Sequence, residues 1–251
     1  MTDTVVGRVF VAEPGAVARA VLAIARQELP EGRDIAERVC RACVEGLEVD
    51  GAAISLFTAG NSRETLWASD ATADLLEDLQ FSLGEGACVQ AAMTGRAVVI
   101  ADLHHSSEAD HWPVFAAAVK EQSDVVALYA VPLRWSTVNV GVLDLYRTES
   151  GTLNDTQLRD VIAAMATTAW MLLPLYTGLR HPHGDADWLE SPPRGRQEIH
   201  LATGMAMFEL NCGAAEALTR MRAFAFAQQR MLGEVAHDML ARRIPITRDT
   251  M

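Results

Sequence analysis

The stretch VVALYAVPLRWSTVNVGVLDLYR, residues 125–147, decides the fold. Its two halves, 125–135 and 138–147, are rich in β-branched and aromatic residues, and only a Ser-Thr pair separates them. Two such runs joined by two turn residues predict an antiparallel β-hairpin. This hairpin is the strongest strand signal in the chain.

Further strand and helix signals surround the hairpin. A buried strand is predicted in GAAISLFTA (51–59), and ETLWAS (64–69) reads as its partner across a Gly-Asn-Ser turn. A long helix is predicted from Thr152, with Asn154 or Asp155 as its cap and Pro174 disturbing its end. The other predicted elements are helices over 15–28, 34–47 (with Asp34 a possible N-cap) and 72–81, a short helix within 84–95, an extended run over 97–103, a polar loop over 104–113 and a short helix after it.

The C-terminal quarter differs from the rest of the chain in its predicted secondary structure. Residues 180–195 carry Pro, Gly and acidic residues and predict a linker, and three short helices over 196–210, 214–229 and 231–243 follow it. The predicted fold is therefore an α+β domain followed by a small all-helical unit. The predicted divisions are a tail (1–14), the α+β domain (15–178), the linker (179–193) and the helical unit (194–246). So small a unit has a weak core of its own, so we expect it to lean on the long preceding helix or on a second copy.

Composition bounds the classes of function. The 251 residues carry a net charge of −12 and are 50% hydrophobic. Residues 1–190 hold 13 basic and 27 acidic residues, whereas residues 191–251 hold 8 Arg and 6 acidic residues, a local balance of +2. This asymmetry points to a nucleic-acid or protein partner for the C-terminal part. No uninterrupted apolar run reaches membrane-spanning length and no signal peptide is recognisable, so we expect a cytoplasmic protein.

Two quoted stretches carry a family resemblance for the first domain. SLGEGACVQAAMTGRAVVIADL (82–103) and VPLRWSTVNVGVLDLYR (131–147), with the order of elements around them, resemble a GAF domain over about 15–176. The resemblance implies an antiparallel sheet flanked by helices and a sensory role, with an unknown small molecule as ligand and no cofactor identified. The residues expected to line such a pocket are Leu83, Cys88, His104, His111, Trp112 and Tyr129.

The C-terminal helices resemble a second family. Arg196, Ile199, Ala202, Gly204 and Met207, then Glu216-Ala217, Met221-Arg222 and Ala225, then Val235-Ala236, resemble the ANTAR domain of bacterial antiterminators. The resemblance implies a dimer that binds tandem hairpin loops in nascent RNA. Lys is common in that family where this chain has Thr203. The residues expected to contact RNA are Arg196, His200, Thr203, Arg220, Arg222, Arg230, Arg242 and Arg243.

Gly204 raises a packing question, because Gly inside a helix costs about 1 kcal/mol relative to Ala. We expect Ile199, Ala202 and Ala206 to form the packed face of the first bundle helix, with Gly204 at the point where the helices come closest. The arginines would then lie on the outward faces.

Several residues leave a chemical alternative open. Cys40 and Cys43 form a C-x-x-C that could serve redox chemistry or zinc, or could be two small apolar residues on a helix. The group His104, His105, Asp110 and His111 could bind a metal or belong to a solvated loop, and we expect no metal site. Cys88 follows Gly-Glu-Gly at a helix start, where a thiol pKa falls, but no base accompanies it. We therefore expect no enzyme activity.

Two functions remain in view. The first is a signal-responsive antitermination regulator that binds RNA. The second is a ligand or redox sensor whose helical tail binds a protein. Binding through phosphates weakens steeply with salt, and this distinguishes the two.

Overall fold

A computed structural model of the chain describes residues 13–27, 31–57, 63–105, 107, 109–177 and 194–247. The predicted linker and all but the end of the predicted tail lie outside these ranges. The described elements, in chain order, are α1 (Ala16–Ala25), α2 (Gly32–Leu47), β1 (Gly51–Phe57), β2 (Arg63–Ala68), α3 (Ala71–Leu83), α4 (Ala87–Thr94), β3 (Val98–Ile100), a 3-10 turn (Ala109–His111), α5 (Pro113–Gln122), β4 (Ala127–Trp135), β5 (Val138–Arg147), α6 (Asp155–Tyr176), α7 (Arg194–Leu210), α8 (Ala214–Ala227) and α9 (Leu232–Leu240).

The described strands form one antiparallel sheet in the order β2-β1-β5-β4-β3. The predicted hairpin is its centre: Trp135 pairs with Val138 across the two-residue turn. Ser136 takes the left-handed φ of 55° that such a short loop requires at its first position. The predicted α+β class is confirmed.

Both faces of the sheet are covered, because successive residues of a strand point to opposite faces. On one face Tyr129 and Leu145 pack against α1, α2 and α6. On the other face Leu128 and Val142 pack against α3, α4 and α5. Cys40 and Cys43 lie on the inner face of α2 and are fully buried, as expected of small apolar residues.

One helix boundary corrects the sequence prediction. The N-cap of α2 is Glu31 and not Asp34, which lies in the first turn, where its charge favours the helix dipole. Pro174 lies in the last turn of α6, where it removes one backbone hydrogen bond, and the helix ends soon after it at Tyr176, as predicted. Asn154 caps α6, and its side chain accepts from the backbone of Thr156 and Gln157.

The helix α6 is also long and apolar enough, by length and composition alone, to cross a membrane. In the structure it packs against α1, α2 and β4, which is how a core helix of a folded domain behaves. Its apolar surface is thus accounted for in part by the core of the domain. The cytoplasmic location stays a prediction.

The helices α7, α8 and α9 form a bundle with its own small core, built from Ile199, Ala202, Ala217, Met221 and Val235 among others. A residue of the first domain, Phe81 on α3, completes that core. The bundle therefore leans on α3. Among the described residues, α6 contributes no side chain to this core, so the expected support by the long helix is wrong.

The expectation for Gly204 is also wrong. A side chain added at Gly204 would meet nothing within 4 Å, and the residue is exposed between Leu201 and Phe208. The close packing comes instead from Ala202 and Ala206, which are fully buried. They are one turn apart on the inner face, and Gly204 lies on the opposite side of the helix.

Candidate functional site

A cluster of polar side chains lies inside the first domain, on the sheet face covered by α3 and α4. Ser55 on β1, Arg63 on β2 and Asp144 on β5 point to this face, and Glu77 on α3 and Cys88 on α4 meet them. All five are buried, and Glu77 and Cys88 are fully so. Buried charges are tolerated in proteins when they are paired.

Glu77 is the centre of this cluster. Its Oε2 accepts hydrogen bonds from Ser55 Oγ and, at 3.1 Å, from Thr65 Oγ1. Nη2 of Arg63 lies 3.7 Å from the same oxygen and donates to the Glu77 carbonyl at 3.3 Å. Nη1 of Arg63 contacts Sγ of Cys88. The guanidinium thus joins β2, α3 and α4.

The two carboxyl groups of the cluster differ in charge. Burial opposes the ionisation of Glu77, but Arg63 and hydrogen bonds from Asp144 and Ser55 lower its pKa to about 2. Burial, together with the negative charge of Glu77, raises the pKa of Asp144 well above its usual value. The opposite directions of the two pKa shifts favour one shared proton in the pair, held by Asp144. One carboxylate faces one guanidinium, and the cluster is neutral.

The residues of the cluster suggest two chemical roles, a metal site and a nucleophilic thiol. One ligand atom each from Glu77, Cys88 and Asp144 lies within 4.8 Å of the others, a spacing that could hold a metal ion. Arg63 already supplies a positive charge there, and a cation would add a second one beside it. Burial raises the pKa of the Cys88 thiol well above its usual value, which makes it a poor nucleophile.

The predicted ligand-pocket residues do not come together. Tyr129 lies on the opposite face of the sheet from Cys88 and Trp112, and its hydroxyl donates to the Gly151 carbonyl at 2.7 Å. Of the predicted set only Tyr129 lies on a strand, and its position on β4 turns its side chain to the face opposite the one that α4 and α5 cover. His104 and His111 are exposed, and Leu83 is half-buried.

The histidine-rich loop lies at the surface of the domain. His104 and His105 are exposed, and Nδ1 of His105 lies 3.1 Å from Oδ2 of Asp102. Among the described residues, the group of potential metal ligands that lies close together is the buried cluster and not this loop.

A second feature is the contact between α3 and the bundle, and Phe81 is its anchor. The Phe81 side chain is 4% exposed and inserts into the bundle core. The guanidinium carbons of Arg196 and Arg222 lie 5.2 Å and 5.5 Å from the centre of its ring. Cations at these distances are attracted to an aromatic face.

Arg196 is fixed by an ion pair as well. Its Nε donates to Oδ1 of Asp78, one turn before Phe81 on α3, at 2.8 Å. Its side chain is 2% exposed, and its two terminal nitrogens have no hydrogen-bond partner. Arg196 was expected on an outward face of the bundle, and the structure shows that this is wrong, because the helix turns that face toward α3.

The same correction applies to three neighbours of Arg196. Arg222 donates from Nε and Nη2 to the Phe81 carbonyl, at 3.1 Å and 2.5 Å. Nε2 of His200 lies 2.6 Å from Oε1 of Glu64 on β2. Thr203 is buried, and its hydroxyl bonds to the carbonyl of Ile199 in its own helix.

The remaining predicted RNA contacts do lie on outward faces. Arg230 and Arg243 both pair with Asp238, at 2.7 Å and 2.5 Å, and Arg220 pairs with Glu216 at 2.7 Å. Arg242 is exposed and has no ion pair with the described residues. Much of the positive charge of the bundle is therefore balanced by its own acids.

Two cavities flank the anchor. One of about 530 Å³ lies between one end of β1, β2 and β5, the helices α3 and α4, the middle of α7 and the first half of α8. The other, of about 780 Å³, lies between α5, the end of α8 and α9. Arg222 lines both, so it forms the wall between them.

One feature of the sequence does indicate the buried cluster. Asp144 interrupts the apolar run of β5 and pairs with Ala53 in the middle of the sheet. A carboxyl group at the centre of a buried strand demands a partner. The identity of that partner, Glu77 on a helix, had no local signature.

A family model described as GAF domain matches residues 33–173. Among solved structures, the GAF domain of Acinetobacter phosphoenolpyruvate-protein phosphotransferase is 12% identical, with a TM-score of 0.51 over 68% of this chain and 95% of that one. That of the Coxiella burnetii phosphotransferase is 14% identical, with a TM-score of 0.52 over 65% and 95%. At such identities the likeness shows the fold alone. No curated protein matches the sequence.

Proposed function

The chain belongs to the GAF domain family, and on that premise we propose that it is a signal-responsive regulator whose C-terminal bundle binds RNA. A GAF domain suggests a sensing or ligand-binding role. The RNA-binding part of the proposal rests on the resemblance of residues 194–246 to the ANTAR domain, which lies beyond the matched range. In this proposal a homodimer binds hairpin loops in nascent transcripts and prevents termination.

One observation carries the regulatory part of the proposal: Arg196 and Arg222, the two arginines at ANTAR motif positions, both contact Phe81 of the GAF domain. Arg196 and Arg222 occupy the positions at which the ANTAR resemblance expects RNA contacts, and both lie against the ring and backbone of Phe81. RNA loops are read by splayed bases and by phosphates held by Arg. With these arginines covered, the docked arrangement is the state that does not bind RNA.

The docking is of a kind that can be reversed. Its anchor stands between two cavities, so the contact is not packed as densely as a domain interior. The two terminal nitrogens of Arg196 are buried without partners, and each such group costs about 1–3 kcal/mol. Release of the bundle would return those nitrogens to water or to phosphate.

The proposal assigns no catalytic role to the chain. The buried cluster holds a thiol with a raised pKa and a carboxyl pair that shares one proton, and the described part of the domain offers neither of them to solvent. We propose that the cluster is structural and holds β2, α3 and α4 in place beneath the docked bundle.

The test is to recover bound RNA from cellular transcripts with the full chain. Arg196 and Arg222 are poor first mutations, because their loss would both undock the bundle and remove RNA contacts. Phe81→Ala instead removes the anchor from the GAF side. We expect it to enrich a set of hairpins that the wild type binds weakly, and we expect Arg222→Ala in the same background to abolish that enrichment.

Trp135→Ala is the matched control. It removes an aromatic side chain from the tip of the β4–β5 hairpin of the same domain and should leave RNA recovery at the wild-type level. Failure of both wild type and Phe81→Ala to enrich any hairpin would refute the RNA-binding proposal. Equal enrichment by both would refute control by docking.

A protein partner for the bundle is the second candidate. Leu201, Phe208 and Phe226 are 55%, 84% and 65% exposed, which is unusual for large apolar side chains on so small a unit. If these side chains meet a protein, the complex should tolerate high salt, whereas an RNA complex should not.

A further inference from the structure

The cavity of about 530 Å³ beside Phe81 has walls from both units of the chain. Its volume lies within the range of ordinary small-molecule sites. We call it the interdomain cavity. The GAF side contributes Phe57, Arg63, Gln80, Phe81, Met93 and Asn139 among others, and the bundle contributes His200, Thr203, Ala215, Leu218 and Arg222 among others.

The charges on its walls are of one sign. Within the described part of the chain, Arg63, His200 and Arg222 line the interdomain cavity, and no carboxylate does. Two of the three have a carboxylate behind the wall, since Arg63 faces Glu77 and His200 approaches Glu64. The larger cavity on the other side of the anchor differs, because three glutamates line it.

Arg222 is the wall residue whose charge is not balanced. No carboxylate of the described residues lies within ion-pair distance of it, and its two hydrogen bonds go to a neutral carbonyl, that of Phe81. Burial, with the nearby Arg63, lowers the pKa of the Arg222 guanidinium. Arg222 is half-buried, and guanidinium groups withdrawn from water are ordinarily paired with an anion. Nη1 of Arg222 donates to no described residue.

The rest of the wall has apolar and polar parts. Phe57, Met93 and Leu218 offer carbon surface, as ligand sites commonly do. The uncharged polar residues of the wall are Gln80, Asn139, Thr203 and Thr219. Oδ1 of Asn139 is buried without a hydrogen-bond partner, while its Nδ2 donates to the Ala92 carbonyl at 3.3 Å. The cavity thus combines apolar surface and uncharged polar groups with one unmatched positive charge.

We propose that the interdomain cavity binds a small amphipathic organic acid, with its carboxylate on Arg222 and its apolar body against Phe57, Met93 and Leu218. A monoanion matches the single unbalanced charge, whereas a phosphate monoester would bring a second charge that the site does not balance. Because both units line the cavity, the acid binds only the docked state and stabilises it. This regulatory consequence rests on the proposed function, in which the acid would hold the chain away from RNA.

The binding itself is tested without RNA. The full chain is titrated calorimetrically with 3-phenylpropionate and with 3-phenylpropionamide, which has the same body and no charge. We expect the acid to bind with an affinity at least about tenfold above that of the amide, as a charged hydrogen bond implies. Equal affinities, or no binding of the acid at millimolar concentration, would overturn the proposal.

Variants locate the site. Arg222→Gln should weaken binding of the acid by about tenfold more than binding of the amide, because the amide loses only what looser docking of the bundle removes. Arg220→Gln, on the same helix but outside the cavity wall, should change neither. Ala215 is exposed and lines the cavity, so Ala215→Trp should fill part of the cavity and weaken the binding of both ligands. This variant tests the location even if Arg222→Gln does not fold. Unchanged binding of the acid by Ala215→Trp would overturn the proposed location.

The outcome is separable from that of the RNA experiment. Binding of 3-phenylpropionate with no RNA recovered would support the site and refute the proposed function. Recovery of RNA with no binding of the acid would support the proposed function and refute the site.

Discussion

Nε of Arg196 lies 2.8 Å from Oδ1 of Asp78, a residue 118 positions earlier in the chain. The side chain of Arg196 is 2% exposed and that of Asp78 is 42% exposed, so a buried cation is paired with a half-solvated anion. This asymmetry makes the ion pair easy to weaken from the GAF side. Because this ion pair joins α3 to α7, the docking of the bundle can be measured in the protein alone, with no RNA present.

Asp78→Asn should loosen that docking. The substitution leaves the buried Arg196 without its counter-charge, which we expect to cost about 1–3 kcal/mol because Asp78 is partly solvated. Hydrogen exchange in α3 and α7 should become roughly five- to a hundredfold faster under conditions in which exchange reports local opening. The control is Glu37→Gln, which removes one negative charge from an exposed pair with Arg41 on α2. Unchanged exchange in α3 and α7 would show that the ion pair does not hold the bundle.

Salt should separate the two candidate partners. For the RNA recovered with Phe81→Ala, the logarithm of the association constant should fall linearly with the logarithm of the salt concentration, by about 0.7 for each phosphate contact in a single strand. About four contacts would give a slope near −3. Arg242→Gln should make the slope shallower by about one contact, because Arg242 is exposed. A flat profile would contradict binding of the RNA through its phosphates.

Replacement by an amide should affect the stability of the protein differently at the two buried carboxyl groups. Glu77→Gln leaves Arg63 buried without a counter-charge, and we expect it to lower the free energy of unfolding by about 3–5 kcal/mol. Asp144→Asn replaces a group that is already neutral in the folded state with a neutral group of the same shape, so it should be tolerated at neutral pH. Chemical denaturation of both variants measures this. Equal destabilisation would mean that the proton is not on Asp144.

The pH dependence follows from the same pair. The folded pKa of Asp144 is raised, so the stability tied to its proton is full below its unfolded value of 3.8 and declines as pH rises toward the folded pKa. Asp144→Asn should abolish this decline. The folded pKa of Glu77 is lowered from 4.5 to about 2, so its contribution is full above 4.5 and is lost as pH falls toward 2. Denaturation midpoints of wild type and Asp144→Asn across pH 4–7 provide the comparison.

Cysteine labelling tests the redox alternative. Cys40, Cys43 and Cys88 are buried, and burial raises the pKa of Cys43 to about 12, whereas Cys212 is partly exposed. Iodoacetamide should therefore modify Cys212 first in the native chain and all 4 cysteines in urea. Mass spectrometry of the peptides reads the order. Rapid native modification of Cys40 and Cys43 would revive a redox role for the C-x-x-C.

Local patterns accounted for most of the elements. The hairpin around Ser136, the cap at Asn154 and the burial of Cys40 and Cys43 were all predictable, because each depends on residues within a few positions of one another. The error at Asp34 concerns a single turn at a helix end. The error at Gly204 has another cause: a helix of small residues offers more than one close-packing face, and local spacing does not choose between them.

The sequence by itself determined the sheet-forming runs, the helices and the GAF family of this protein, because periodicity and turn chemistry act over a few residues. Only the tertiary structure decided that the motif arginines face α3, that Arg63, Glu77 and Asp144 share one neutral cluster, and that a cavity separates the two units. Arg222 and Phe81 are 141 residues apart. No short-range pattern encodes such a pair, because the contact exists only after the sheet and the bundle have each formed and packed together.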